Sequence, residues 1–322
     1  MRIVVTGATG FIGGVVARQL RARGDTVVAI VRNPAGATDL RDLGVELVAG
    51  DLGDVASISG QLAGADVLVH MAGSYRIGIG LSERPAMLDA NVGTTTRLLD
   101  AAAQVGTPRI VYTSTVNVFG NTHGEVVDET YVRNLAEGFL SYYDLTKYRA
   151  HELVAARIAG GAPIVVAMPG GVYGPGDHSE AGGQLALAHA GKLRYIALGD
   201  TGLSWTFVDD VADGIVRILD HGGLGDSYIL SGPSLLLRDA VGAAAIAGHR
   251  RPPRLVLPTG LLRLFIPLSR RFGAVGGLPA NLAETIRAGD GVTYWARAAK
   301  AERELGFQAR DLESGLRATF GS

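Results

Sequence analysis

Arg2-Ile-Val-Val-Thr6-Gly7-Ala-Thr9-Gly10-Phe11-Ile12-Gly13 opens the chain. A short β-branched run leads into a turn with three spaced glycines, and the residues after it carry the pattern of an amphipathic helix. That order predicts the first strand–turn–helix unit of a doubly wound α/β sheet. The spacing is G-x-x-G-x-x-G rather than the common G-x-G-x-x-G, but the physics is shared. A tight turn lets backbone approach a pyrophosphate, the helix N-terminus offers free N–H groups, and a small residue allows close helix–strand packing. Glycines at a turn can also form a plain loop. The strand before and the helix after favour a nucleotide cradle made by Gly7, Thr9, Gly10, Phe11, Ile12 and Gly13.

Working outward, short apolar runs alternate with helical patterns as far as about residue 170. Strands are expected at Arg2–Thr6, Thr26–Val31, Glu46–Ala49, Val67–Met71, Arg109–Ser114 and Ile164–Met168, with helices at Phe11–Arg23, Pro85–Val105 and Tyr142–Ala159. The runs are continuously apolar, as in parallel strands covered on both faces. Ligands of such sheets bind beyond the carboxyl ends of the strands, where every motif discussed below falls. Beyond residue 170 the alternation weakens. Gly170–Gly183 reads as a loop and Ser227–Leu230 as a strand. Helices are expected at Gln184–Gly191, Asp210–His221, Asp239–Gly248, Pro258–Phe272, Leu278–Ala288, Ala298–Leu305 and Leu312–Phe320. The predicted division is a dinucleotide-binding unit over 1–170, with part of 200–230 returning to it, and a smaller interleaved substrate lobe mainly over 171–322. Pro258–Phe272 is amphipathic and basic; it predicts a helix covering that lobe, with a membrane-surface helix as the alternative.

Composition narrows the classes. Of 322 residues 47% are hydrophobic and 19% charged, so the chain can bury a large core. A net charge of −1 with mixed signs provides no basic field for nucleic acid. The absence of cysteine excludes disulfides, thiolate nucleophiles and Cys-ligated metals. No histidine or carboxylate cluster suggests a metal, and no apolar run approaches the roughly 20 residues of a membrane span. The expectation is a cytoplasmic protein acting on a small molecule.

Two further positions carry chemistry. The second strand ends Val27-Val-Ala-Ile-Val-Arg32-Asn33, and Asp25 stands at its entrance rather than its exit. An acid at the exit would hold the ribose hydroxyls of NAD, whereas a cation suits the 2′-phosphate of NADP. Arg32 therefore points to NADP, with NAD the alternative and a plain surface arginine the blander reading. In Tyr143-Asp-Leu-Thr-Lys147 the tyrosine and lysine are four residues apart, on one face of a helix. A free phenol has a pKa near 10; a nearby ammonium, together with any positive nicotinamide ring, favours phenolate and draws it toward working pH. Such pairs are common by chance on exposed helices. This one acquires weight from the glycine cradle and from the hydroxyls of Val111-Tyr-Thr-Ser114-Thr115 at a strand end.

Together these motifs resemble the extended short-chain dehydrogenases/reductases of the epimerase/dehydratase superfamily, over essentially the whole chain. Thr6–Gly13 is similar to the family's T-G-x-x-G-x-x-G, and Asp51-Leu52 to the pair against adenine. His70-Met71-Ala72-Gly73 matches the segment under the cofactor, and Asn91-Val-Gly-Thr94 the N-x-x-G-T helix start. Pro169-Gly-Gly-Val172-Tyr173-Gly-Pro-Gly176 resembles the loop near the nicotinamide. Trp205–Ala212 and Ala299–Phe307 match two late patterns. The resemblance implies a Rossmann fold and hydride chemistry, with Tyr143 as general acid/base, Lys147 tuning it and binding the nicotinamide ribose, and Thr115 orienting the substrate oxygen. Ser114 becomes a cofactor-side hydroxyl and His70 a structural residue. Homodimerisation through the two long helices after the fourth and fifth strands is common in similar proteins and is expected here.

Sugar-nucleotide members of the family often carry an arginine that grips the diphosphate; aligned on Asp209-Asp210-Val211-Ala212, its place is taken by Leu203. With the Val-Arg-Asn-Pro stretch, this resembles the dihydroflavonol-reductase-like and hydroxysteroid-dehydrogenase-like branches. The preferred reading is an NADP-dependent reductase/dehydrogenase of a largely apolar ketone, aldehyde or secondary alcohol. A nucleotide-sugar epimerase or dehydratase and a non-catalytic cofactor sensor are the alternatives. Ser74, Tyr75, Asn117, Tyr173 and Trp205 are expected to shape the substrate pocket.

Overall fold

The computed structural model describes residues 1–272 and 279–321. Its strands are β1 (Arg2–Thr6), β2 (Thr26–Val31), β3 (Glu46–Ala49), β4 (Val67–His70), β5 (Ile110–Thr113), β6 (Ile164–Pro169), β7 (Gly171–Tyr173), β8 (Gly202–Phe207), β9 (Ser227–Leu230), β10 (Ser234–Leu236) and β11 (Thr293–Tyr294). The α-helices of the first half are α1 (Phe11–Ala22), α2 (Thr38–Asp42), α3 (Val55–Leu62), α4 (Arg84–Leu88), α5 (Thr94–Val105) and α6 (Tyr142–Ala159). Those of the second half are α7 (Glu180–His189), α8 (Val208–His221), α9 (Leu237–Ala247), α10 (Thr259–Arg263), α11 (Ile266–Phe272), α12 (Leu282–Gly289), α13 (Ala299–Leu305) and α14 (Leu312–Phe320).

Seven parallel strands form the main sheet in the order β3-β2-β1-β4-β5-β6-β9. The period of two in each strand feeds two separate cores. Ile3, Val5, Val27, Ala29, Val69, Val111 and Val165 pack on one face with α1, α8 and α13. Val4, Val28, Leu68, Ile110, Ile164 and Val166 pack on the other with α3, α5 and α6. This double burial is why the strands read as unbroken apolar runs. Strand order reverses between β1 and β4, which opens the crevice at the carboxyl ends of those strands.

A smaller sheet centres on β8, which pairs with β7, β10 and β11. Its presence corrects the loop expected over Gly170–Gly183, which holds β7 and the start of α7. Tyr173, Trp205 and Phe207 point from this sheet into a third core with α7, α9 and α14. The helix expected at Pro85–Val105 is interrupted by a π turn at Asp89–Gly93. Pro258–Phe272 is two short helices rather than one, and the helix expected at Leu278–Ala288 begins only at Leu282, capped by Asn281, with Leu278 lying outside the described residues.

The long connection before α6 is held by a buried ion pair. The Arg133 guanidinium donates to both oxygens of Asp144, at 2.5 and 2.7 Å, and the N–H of Leu140 donates to the same carboxylate at 2.9 Å. Both side chains are almost wholly inaccessible, so removing one partner leaves an uncompensated charge. Asp144→Ala is expected to lower unfolding free energy by about 3–5 kcal/mol in urea titrations, with part recovered by adding Arg133→Met. A loss below about 1 kcal/mol would contradict this account of the loop.

Candidate functional site

The turn after β1 lies directly on the segment after β4. Gly7 has φ of +77°, and a Cβ there would fall 2.7 Å from the Ala72 nitrogen. A Cβ on Gly13 would fall 2.1 Å from the Gly7 carbonyl oxygen. Glycine is thus required for close approach at both positions. At the start of α1 no side chain caps the helix and no acid stands in the first turn. By contrast Asp54, Ser141, Ser179, Asn281 and Asp311 cap their own helices. An uncapped N-terminus at the topological switch point leaves the Phe11, Ile12 and Gly13 amides for an anion. These residues fit a dinucleotide's pyrophosphate. Arg32 is exposed just beyond β2 and makes no ion pair among the described residues. Thr9, Asp51 and Gly73 are exposed; Leu52, Met71 and Ala72 are half-buried beside the same strand ends.

His70 has no freedom for proton chemistry. The Thr95 hydroxyl donates to the Asn91 carbonyl at 2.7 Å, so it accepts from His70 Nε2–H at 3.0 Å; Nδ1 then accepts from the Thr6 hydroxyl at 2.8 Å. Burial, reinforced by the Lys147 ammonium, lowers its pKa to about 3. The imidazole is a neutral brace between β1 and β4's neighbouring helix.

At the carboxyl end of β5 the hydroxyl-bearing residues meet α6. Tyr143 is 8% exposed and packs with Ile79 and Met87. Its ring meets Tyr75 edge-on at 4.8 Å between centroids. Burial is the largest influence on the phenol and raises its pKa well above the ordinary value; Tyr75 and Tyr112 add to this, while a hydrogen bond with Thr115 opposes it. Lys147 donates from Nζ to the Thr113 carbonyl at 3.1 Å and lies 5.4 Å from the centre of the Tyr112 ring. Burial lowers its pKa to about 8. Tyr143 and Lys147 lie one turn apart on α6, and burial raises the phenol pKa instead of lowering it.

Thr115 and Asn117 bond each other: the Asn117 N–H donates to Thr115 Oγ1, and that hydroxyl donates to Asn117 Oδ1, both at 3.2 Å. Ser114 Oγ lies 2.9 Å from His151 Nδ1. Burial, then Lys147, lowers the His151 pKa to about 4, so it is neutral beside the lysine. Asn91, buried in the π turn, accepts from the Ser74 N–H at 2.7 Å and donates to the Ser74 carbonyl at 3.1 Å and Thr146 Oγ1 at 2.9 Å. Its amide thus braces the Ser74 segment against α6 instead of reaching outward. Pro169 ends β6, and Val172 packs against the first core.

Two of the expected pocket residues are elsewhere. Tyr173 and Trp205 are essentially inaccessible: their rings pack together, the Tyr173 hydroxyl donates to the Leu312 carbonyl at 3.4 Å, and Trp205 Nε1 donates to the Leu235 carbonyl at 3.2 Å. Strand alternation in β7 and β8 turns both into the third core, away from the cleft. Glu284, not among the expected residues, is a further support. One carboxylate oxygen accepts from Gly78 N–H at 3.3 Å and Tyr142 N–H at 3.1 Å; the other accepts from Arg84 at 3.2 Å and Asn281 at 3.1 Å. It ties the Ser74–Arg84 segment to the first turn of α6. The Asn281-x-x-Glu284 spacing marks a helix start in sequence, but nothing there announces the partner at residue 142.

Residues 3–230 match the model of the NAD dependent epimerase/dehydratase family. The chain belongs to that family. A putative dihydroflavonol 4-reductase of Synechocystis sp. is 28% identical over 97% of this chain and 91% of its own. Sterol demethylase protein B of Methylococcus capsulatus is 31% identical, covering 84% and 83%. The crystal structure of gox2253 superimposes with a TM-score of 0.84 at 30% identity, over 99% of this chain and 96% of that one. Other relatives of the family member described here are named as reductases and as nucleotide-sugar dehydratases.

The lowered Lys147 pKa has a consequence for stability. Between about pH 8 and 10.5 the unfolded chain binds a proton there that the folded chain does not. The cost of burying the ammonium is full below pH 8 and fades as pH rises. Lys147→Met is therefore expected to raise Tm at pH 7, with the gain shrinking toward pH 10. A variant that melts below the wild type at pH 7, or a gain that widens with pH, would contradict this.

Proposed function

We propose that this family member is an NADP-dependent reductase or dehydrogenase that interconverts a largely apolar ketone or aldehyde with its alcohol. The observation that carries the reading is the buried Tyr143 phenol with Lys147 one turn along α6, beside the carboxyl end of β5 where Thr115 lies and two strands from the glycine cradle at β1. When bound, the cofactor supplies or accepts the hydride at its nicotinamide ring. The Phe11, Ile12 and Gly13 amides hold the pyrophosphate, and Arg32 meets the 2′-phosphate. Lys147 binds the nicotinamide ribose. The Thr115 hydroxyl positions the substrate oxygen, and Tyr143 gives that oxygen a proton as the carbonyl carbon is reduced. Burial keeps the phenol protonated at neutral pH, which suits the reductive direction.

An apolar, uncharged substrate is favoured by the surroundings. Tyr143 sits among Ile79, Met87 and Ile77. Tyr75, 58% exposed, stands near the Glu180 and Asp177 carboxylates, which act to raise its pKa and would repel an anionic substrate. Leu203, partly buried between two cores, offers no charge to a diphosphate. The relatives named as reductases of small organic substrates agree with this reading. Nucleotide-sugar epimerisation or dehydration is the second reading, favoured by the family's name and by the named dehydratases.

Tyr143→Phe is expected to lower kcat of NADPH-driven ketone reduction by about 10²–10⁴-fold, while NADPH affinity by fluorescence titration changes by less than roughly twofold. Retention of near wild-type turnover would remove Tyr143 from the chemistry. A thermal-shift screen with NADPH plus ketones or nucleotide sugars separates the two readings. Stabilisation by a UDP- or dTDP-sugar and by none of the ketones would overturn the one preferred here.

A further inference from the structure

From residue 240 to residue 283 the sequence contains six arginines, at 250, 251, 254, 263, 270 and 271, and no aspartate or glutamate. In a chain of net charge −1 this is a pronounced local asymmetry. It lies wholly beyond the residues matched by the family model. Arg250, Arg251 and Arg254 are exposed and form no ion pair among the described residues; Arg263 pairs with Asp290 at 3.1 Å.

The apolar side chains of this segment are turned outward. Leu261, Leu264, Phe265 and Leu268 follow the i, i+3, i+4, i+7 spacing of one helical face, and α10 and α11 join through turns that keep them in near-helical continuity. A helix covering the lobe would bury that face. Instead these residues are 51, 72, 47 and 41% exposed, and Leu255 nearby is 54% exposed. Leu262, Ile266 and Ser269 occupy the inward side, and both helices rest on α12.

We propose that this face docks on an anionic lipid surface, its leucines and phenylalanine entering the acyl boundary while the arginines meet lipid phosphates. A projecting row of apolar side chains, in a segment whose sequence carries six arginines and no acid, suits a soft, negatively charged interface. A second copy of the chain suits it poorly. An isologous contact would bring the same arginine-rich, acid-free segment against itself, with no carboxylate in it to offset the repulsion. The inward side of these helices rests on α12, whose Glu284 holds the Ser74–Arg84 segment and the first turn of α6, so the docking helices are linked through α12 to the segments around Tyr143.

The test is co-sedimentation of the full chain with vesicles of phosphatidylcholine alone or with about 30% phosphatidylglycerol. Binding is expected only to the anionic vesicles and is expected to weaken as salt rises. Arg250→Glu/Arg251→Glu/Arg254→Glu is expected to reduce partitioning roughly hundredfold, and Leu264→Glu/Phe265→Glu at least about tenfold. Both sets alter exposed positions, so Tm near the wild-type value confirms that the folded protein is being compared. A wild-type chain that stays in the supernatant with anionic vesicles overturns the proposal, as does a Leu264→Glu/Phe265→Glu variant that binds equally well. Light scattering that finds a dimer dissolved by Leu264→Glu/Phe265→Glu, without vesicle binding, assigns the face to a second copy and also overturns it.

Discussion

Desolvation of one phenol and one ammonium, placed a helical turn apart at the end of β5, is the constraint around which the cleft is built. Neither group is comfortable there: burial drives the Tyr143 pKa up and the Lys147 pKa down. Each shift favours the neutral form, so the pair can be held in the interior without carrying two bare charges. The surrounding structure maintains that burial. The Arg133–Asp144 pair anchors the connection preceding α6, Glu284 ties the Ser74–Arg84 segment to its first turn, and Asn91 braces Ser74 against Thr146. All three supports converge on α6, the helix that carries Tyr143 and Lys147.

The neighbouring groups are arranged to avoid competing for protons. His70 and His151 are both held neutral by burial next to the lysine, one locked between two threonines and the other against Ser114. Lys147 then bonds the Thr113 carbonyl at the end of β5, while burial holds the Tyr143 phenol above its ordinary pKa. The uncapped end of α1 follows β1, which β4 separates from β5, so the cradle and the Tyr143–Lys147 stretch draw on different strand ends.

Much of this was legible because it depends on local pattern. Double-sided burial makes strands such as Arg2–Thr6 and Thr26–Val31 unbroken apolar runs, and the glycine spacing marks the close approach of two backbones. The helical offset of four put Tyr143 and Lys147 one turn apart on the helix that the structure forms over Tyr142–Ala159. What depends on distant partners was not legible. Tyr173 and Trp205 stand next to cleft-forming segments in sequence, but the parity of β7 and β8 sends them into the third core. Glu284 lies 142 residues from the Tyr142 amide that it accepts from. The outward turn of Leu264 and Phe265 follows from how α10 and α11 sit on α12, which an amphipathic pattern alone does not specify.

The most direct measurement of the account is the protonation state of Tyr143 itself. A carbon-13 NMR titration of ring-labelled tyrosine, with the Tyr143 signal assigned by its loss in Tyr143→Phe, reports that state in the folded protein. The account predicts a signal that remains that of a protonated phenol through about pH 10, the ordinary midpoint for tyrosine. A Tyr143 signal that titrates to phenolate near neutral pH would contradict the claim that burial governs this site.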